Sequence, residues 1–327
     1  MKIKLVHTVT VIAHGVDPHA PALPYTPTKS SPGYDDSIPR FKIIKDWAPM
    51  ETGGISAECR IKSFRDIFVI VEAAATAQDG PAASALEIKN ALNILAAEMA
   101  AKYGDTRLSE EFTFYCHSGY SNLDPYIKER AHDIAKLLKD ESIELTDEEA
   151  AKTFEGSVRY EPDDLTVVDW DGAALFDKPG KFEDDIAILE MANIQLLSLR
   201  ALDGRLTREM DRFRKQKMSG AWGVWRLSRT MSSIVAARTE SLLELDVIDN
   251  GLKLYGEWYD ARVYALASRK LYLEKWRATV DGKLSTLEKM FEMVTARQGE
   301  LYNIILEITI VLLIALEIYL ALAGWYE

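Results

Sequence analysis

Cysteine is scarce: Cys59 and Cys116 are the two in 327 residues, 57 positions apart. That spacing excludes a disulfide-dense secreted scaffold and a Cys-x-x-Cys zinc site, and it suits a reducing compartment. Catalytic signatures are missing as well. The chain has no P-loop, no Gly-x-Gly-x-x-Gly after a strand, no His-Glu-x-x-His and no nucleophile elbow. It shows no transit-peptide composition, and a signal peptide is disfavoured because His7, His14 and Asp17 interrupt the apolar start. Proline is absent beyond Pro179, which leaves a long stretch free to be helical.

With 48% hydrophobic and 28% charged residues, the composition excludes intrinsic disorder and collagen-like structure. The length suits two domains. The net charge of −12 is unevenly spread. Residues 1–180 hold 19 Lys+Arg against 30 Asp+Glu, whereas residues 181–327 hold 20 against 21. Thirteen acids fall within 140–177, where Lys152 and Arg159 are the only bases. A solvated surface is the ordinary meaning of such a run, and a docking face for a basic protein partner is the sharper one.

Residues 2–13, rich in Ile, Val and Thr, predict a first β-strand. Seven prolines from Pro18 to Pro49 predict an irregular excursion over 14–55. Short β-like runs follow at 58–61 and 66–71. Pro81 opens an Ala-rich helix closing at Gly104. A strand is expected over 111–116, a helix from Asp124-Pro125, and a short helix capped at Thr146. Last strands are expected at 158–160 and 165–170. Helices and strands alternate too irregularly for a doubly wound sheet, so residues 1–180 predict an α+β domain.

Beyond Pro179-Gly180 the pattern predicts an all-α helical hairpin or coiled coil over 181–303, ending in one C-terminal transmembrane helix over 304–325. Helices are expected at about 182–217, about 224–249 and from near Leu252. The third carries Leu273, Val280, Leu287, Val294 and Leu301, each seven apart. A sustained seven-residue repeat favours supercoiled helix pairing, and a homo-oligomer is the expected assembly. The apolar run from Ile304 is long enough for a bilayer core of about 30 Å. Tyr302 and Trp325 suit its two interfaces, and Lys283, Lys289 and Arg297 precede it. The positive-inside rule then places the bulk of the chain on the cytoplasmic side, as a tail-anchored protein. Glu307 and Glu317 interrupt the run. A deep carboxyl costs about 2.5–3.5 kcal/mol there, and Glu317 is expected to hydrogen-bond a partner helix.

Candidate sites are few. Cys116 and His117 have residue types for nucleophilic work, yet neighbours on a strand point to opposite faces. His14, Asp17 and His19 lack a fourth ligand, so neither a metal nor a cofactor is expected. The basic corner comprises Arg205, Arg208, Arg212, Arg214, Lys215, Lys217, Arg226 and Arg229 with Trp222 and Trp225. Bases interleaved with aromatics can hold RNA phosphates and bases, a ribosome, or anionic lipid headgroups. Their other role is to match the acidic first domain within the chain.

The helical half is similar to the required-for-meiotic-nuclear-division (Rmd-type) family. The similarity rests on Phe182-Glu183-Asp184-Asp185-Ile186-Ala187, the heptads of 269–301, Ala296-Arg297, and the ending around Leu306-Glu307 and Leu312 to Ile318. It covers 180–325 well, 111–180 loosely and 1–110 not at all. The resemblance implies a membrane-anchored, non-catalytic scaffold. Three functions are therefore expected in turn: a self-associating, tail-anchored scaffold; a membrane tether for RNA or ribosomes through 205–229; and an enzyme with a site in the N-terminal domain. No small-molecule substrate is evident.

Overall fold

A computed structural model describes residues 2–13, 41–78, 82–215 and 259–323. Strand β1, Lys2–Ala13, carries Ile3, Leu5, His7, Val9 and Val11 on one face and Val6, Thr8 and Thr10 on the other. All of these are buried, as a central strand covered on both faces requires. β1 pairs antiparallel with β4 (Phe68–Gln78) and β5 (Gly104–Ser118). The remaining strands are β2 (Phe41–Thr52), β3 (Ile55–Phe64), β6 (Asp164–Val168) and β7 (Gly172–Asp177). Among the described residues the strands form one seven-stranded sheet in the order β2-β3-β4-β1-β5-β7-β6, with β5 and β7 parallel and the other pairs antiparallel.

Local chemistry explains the turns and caps. Gly53 and Gly54 both take positive φ between β2 and β3, as a two-residue hairpin loop demands. Gly172 starts β7 so close to β5 that an added Cβ would lie 2.7 Å from the Thr113 carbonyl oxygen. Helix α1 is Ala82–Ala100 and α2 is Leu123–Lys139, capped by Asn122 and closed by Asp140 in the left-handed region. Helix α3, Asp147–Thr153, is capped by Thr146, whose hydroxyl accepts from the Glu149 amide.

Helices α1 and α2 cover one face of the sheet, their Leu92, Leu95, Leu137 and Leu138 packing with Leu5, Ile61, Val71 and Phe176. The other face meets α4 (Glu183–Lys215) and α5 (Tyr259–Lys270). Lys62 of β3 reaches Glu190, Arg200 reaches Glu110 of β5, and the hydroxyls of Tyr259 and Thr166 meet at 2.8 Å. Helix α6 is Leu273–Ala323, 51 residues long.

The α+β N-terminal domain is as expected. Other elements differ from the sequence pattern. Residues 41–52 lie within the proline-rich stretch and form an edge strand of the described sheet, the position in which a proline such as Pro49 is tolerated. The strand expected over 165–170 is β6, which ends at Val168, and β7 follows from Gly172. The third helix divides into α5 and α6 at Tyr272, which has φ 54°. The helix expected over 224–249 lies outside the described residues.

The chain separates into two units. One holds residues 1–201 and 242–277, including the sheet. The other holds 202–241 and 278–327. In this second unit Leu206, Val280, Leu284 and Leu287 are buried, and the Lys283 ammonium meets Asp203 at 2.5 Å and the Thr207 hydroxyl at 2.7 Å. The last turns of α4 therefore run beside α6 there.

Candidate functional site

The densest chemistry lies between the sheet and α4. Arg60 and Lys62 stand two apart on β3, so both project from the same face. Glu72 is the register partner of Arg60 on β4. It accepts two bonds from the Arg60 guanidinium, one through Nε and one through Nη2 at 3.0 Å, and a third from Lys62 Nζ at 3.0 Å. Lys62 also donates to Glu190 of α4 at 2.6 Å, and Arg60 to Glu183 at 2.9 Å. Glu72 and Glu190 are fully buried, and Arg60 and Lys62 nearly so.

Aromatic rings close the network. Arg60 Cζ lies 4.5 Å from the Trp47 ring centroid, with Lys4 Nζ 5.2 Å from the same ring. Lys62 Nζ lies 4.7 Å from the Phe41 ring. Both faces are the electron-rich side that attracts a cation.

Burial opposes every charge here, and the pairings decide which survive. Lys62 and Arg60 overcome burial at Glu72 and hold its carboxyl below the usual range. Glu190 and Glu72 likewise keep Lys62 protonated. Burial wins at Glu190: Lys62 only partly compensates, and its pKa rises to about 7. Glu190 therefore exchanges its proton near neutral pH, and in its protonated form two cations face two carboxylates, Glu72 and Glu183. Hydrogen bonds run mostly within the network, although Glu190 Oε1 is buried with no hydrogen-bond partner among the described residues. The network's chemical capacity is to fasten α4 to the sheet.

A second buried cluster occupies the opposite face. His7 Nδ1 lies 2.9 Å from the Thr113 hydroxyl. Burial, with the Lys89 ammonium, lowers the His7 pKa to about 4, so the ring is neutral at physiological pH. Lys89 pairs with Asp140 at 2.9 Å.

The sites expected from sequence are placed as follows. Cys116 is wholly buried, and burial pushes its thiol far above the ordinary range. His117 turns to the other face, bonding the Tyr126 hydroxyl at 2.8 Å and stacking on Phe176 at 4.6 Å. The two do not meet. His14, Asp17 and His19 lie outside the described residues, as do Lys217, Trp222, Trp225, Arg226 and Arg229. Arg205, Arg208, Arg212, Arg214 and Lys215 lie on the last turns of α4. Arg212 pairs with Glu209 and Arg214 with Asp211, each three residues back. Leu273, Val280 and Leu287 are buried. Val294 and Leu301 lie further along α6, their side chains outside the description. Asn303–Ala321 is long and apolar enough to cross a membrane, and none of it is buried. Glu307 and Glu317 are exposed along it.

Composition hides the buried network because charged residues ordinarily signal surface. Two local signals do mark it. Glu72 sits between Val69-Ile70-Val71 and Ala73-Ala74-Ala75, and Glu190 between Ile188-Leu189 and Met191-Ala192. A lone acid inside an apolar run either faces a buried cation or breaks the element.

Residues 51–183 match the family described as the N-terminal domain of uncharacterized protein MJ0711, a domain family of unknown function. That match spans much of the sheet domain, including Arg60, Lys62, Glu72 and Glu183, and ends at the start of α4. Uncharacterized protein MJ0711 of Methanocaldococcus jannaschii is 29% identical over 290 residues, 89% of this chain and 88% of that protein. No solved structure matches.

Proposed function

We propose that the protein is a non-enzymatic scaffold held in a membrane by Asn303–Ala321, with its acidic sheet domain on the cytoplasmic side. It self-associates through its long helices, in a hairpin or coiled-coil arrangement. One observation carries this reading: the exposed apolar segment and the buried positions Val280, Leu284 and Leu287 belong to one unbroken 51-residue helix. A helix of that length extends about 76 Å at 1.5 Å per residue. It joins a part packed in protein to a part suited to lipid without a hinge between them. The Rmd-type similarity supports the same reading, since it implies an anchored scaffold. Lys283, Lys289 and Arg297 before the span support the orientation. Light scattering of the detergent-solubilised full chain at micromolar concentration tests self-association. An oligomer is expected, and a strict monomer refutes it.

A second reading rests on the basic end of α4. Arg205, Arg208, Arg212, Arg214 and Lys215 face only Glu209 and Asp211 within residues 205–215, a density suited to nucleic-acid phosphates. Binding of that kind falls steeply with salt. Reversing the charge at Arg208, Arg212 and Lys215 is expected to release co-purifying RNA; unchanged RNA refutes the tether.

A further inference from the structure

The carboxyls and the amide of the apolar segment are not scattered. At 3.6 residues per turn, Asn303, Glu307, Ile310, Ile314, Glu317 and Ala321 fall within about 80° of arc on α6. No other residue of 303–321 enters that arc. Both carboxyls of the segment and its one amide therefore share a single stripe, with Tyr319 on the far side of the helix. Thr309 lies elsewhere and satisfies its own hydroxyl, which donates to the Ile305 carbonyl at 2.7 Å. Every residue of the stripe is exposed.

The stripe does not continue the buried seam. Val280, Leu284 and Leu287 project about 100–160° around α6 from the stripe's centre, where they are packed in protein. On the stripe's own side, Ser285, Lys289, Glu292, Ala296 and Gly299 carry it down the helix at spacings of three and four, and all five are exposed. An added Cβ at Gly299 would meet nothing within 4 Å. This is the spacing of a helix-pairing face, left open along the whole length from 285 to 321.

We infer that this stripe is the contact for a second, parallel copy of the same helix inside the bilayer. The inference rests on the reading that Asn303–Ala321 spans the membrane. Two features select a copy of this chain as the occupant. A parallel copy brings Asn303, Glu307 and Glu317 level with their own counterparts, so each polar side chain of the stripe meets a polar side chain instead of hydrocarbon. Outside the apolar segment, Lys289 and Glu292 on the same side offer opposite charges that two parallel copies exchange. Hydrocarbon provides neither the hydrogen bond nor the counter-charge.

Cysteine crosslinking of the full chain in vesicles of phosphatidylcholine and phosphatidylglycerol tests this. Cys59 and Cys116 are buried, so oxidation reports the introduced thiols. Ile310→Cys and Ile314→Cys are expected to give disulfide dimers, and Leu312→Cys on the opposite side to give several-fold less. Glu307→Leu with Glu317→Leu, in the Ile310→Cys background, is expected to reduce the dimer about tenfold. The corresponding Gln pair, which keeps a donor and an acceptor, is expected to retain it. Alkaline extraction of the same vesicles separates the two claims. Chains released by alkali overturn the membrane reading itself. Chains retained in the bilayer that crosslink equally from both sides, or that ignore the Leu substitutions, overturn the stripe. Stripe thiols that crosslink in native membranes only to a different protein overturn the second copy as occupant.

Discussion

Replacing Lys62 by methionine removes one charge from the buried network at nearly constant volume. The native ammonium is 3.0 Å from Glu72 and 2.6 Å from Glu190, with its side chain 3% exposed. After Lys62→Met, Glu72 keeps its two bonds from Arg60. Glu190 loses the cation that meets it and is left as a carboxyl in a fully buried place. Removing one partner of a buried pair costs about 3–5 kcal/mol. At pH 8 the whole penalty is expected. At pH 5 Glu190 takes up a proton, and the loss shrinks to about 1–2 kcal/mol, the scale of an unmade hydrogen bond. Lys62→Met with Glu190→Leu removes the orphaned carboxyl as well and is expected to return stability to within about 1 kcal/mol of the native chain. Urea unfolding of the full chain in detergent, followed by far-ultraviolet circular dichroism, reads these differences as shifts in midpoint. A loss below about 1 kcal/mol at pH 8, or a double variant no better than the single one, refutes this account of the network.

Acid should expose His7. Its folded pKa of about 4 lies below the ordinary 6.5, so its contribution is complete above pH 6.5 and lost as pH falls towards 4, by about 3 kcal/mol in all. His7→Gln should flatten urea midpoints over that window, and an unchanged slope contradicts the reading. Glu190 has the opposite sign. Its folded pKa is raised from 4.5 to about 7, so its contribution is complete below pH 4.5 and lost as pH rises through 7; Glu190→Gln should remove that decline. Gly172→Val should destabilise by about 1–3 kcal/mol, because its Cβ would press on the Thr113 carbonyl 2.7 Å away. A thermal midpoint unchanged by that substitution refutes the tight β5–β7 approach.

Much of the fold is legible in the chain because local rules act there. Thr146 caps α3, Pro81 and Gly104 bracket α1, and Ile, Val and Thr mark β1. Seven-residue spacing marks the side of α6 that is buried at Val280 and Leu287. What escapes is set by contacts distant in sequence. Lys62 and Glu190 are 128 positions apart, and no periodicity links them. The break between α5 and α6 falls on Tyr272, a residue type with no preference for the left-handed region. At the level of function the apolar segment is plain in sequence, whereas the shared stripe of Asn303, Glu307 and Glu317 requires the unbroken helix.

Membrane anchoring is the centre of the account. The most direct measurement compares the full chain with one lacking residues 303–327, each expressed, fractionated and washed with alkaline carbonate. The full chain is expected in the carbonate-resistant membrane pellet and the shortened chain in the soluble fraction. Full-length protein in the supernatant, or a shortened chain retained equally in the pellet, contradicts anchoring by Asn303–Ala321.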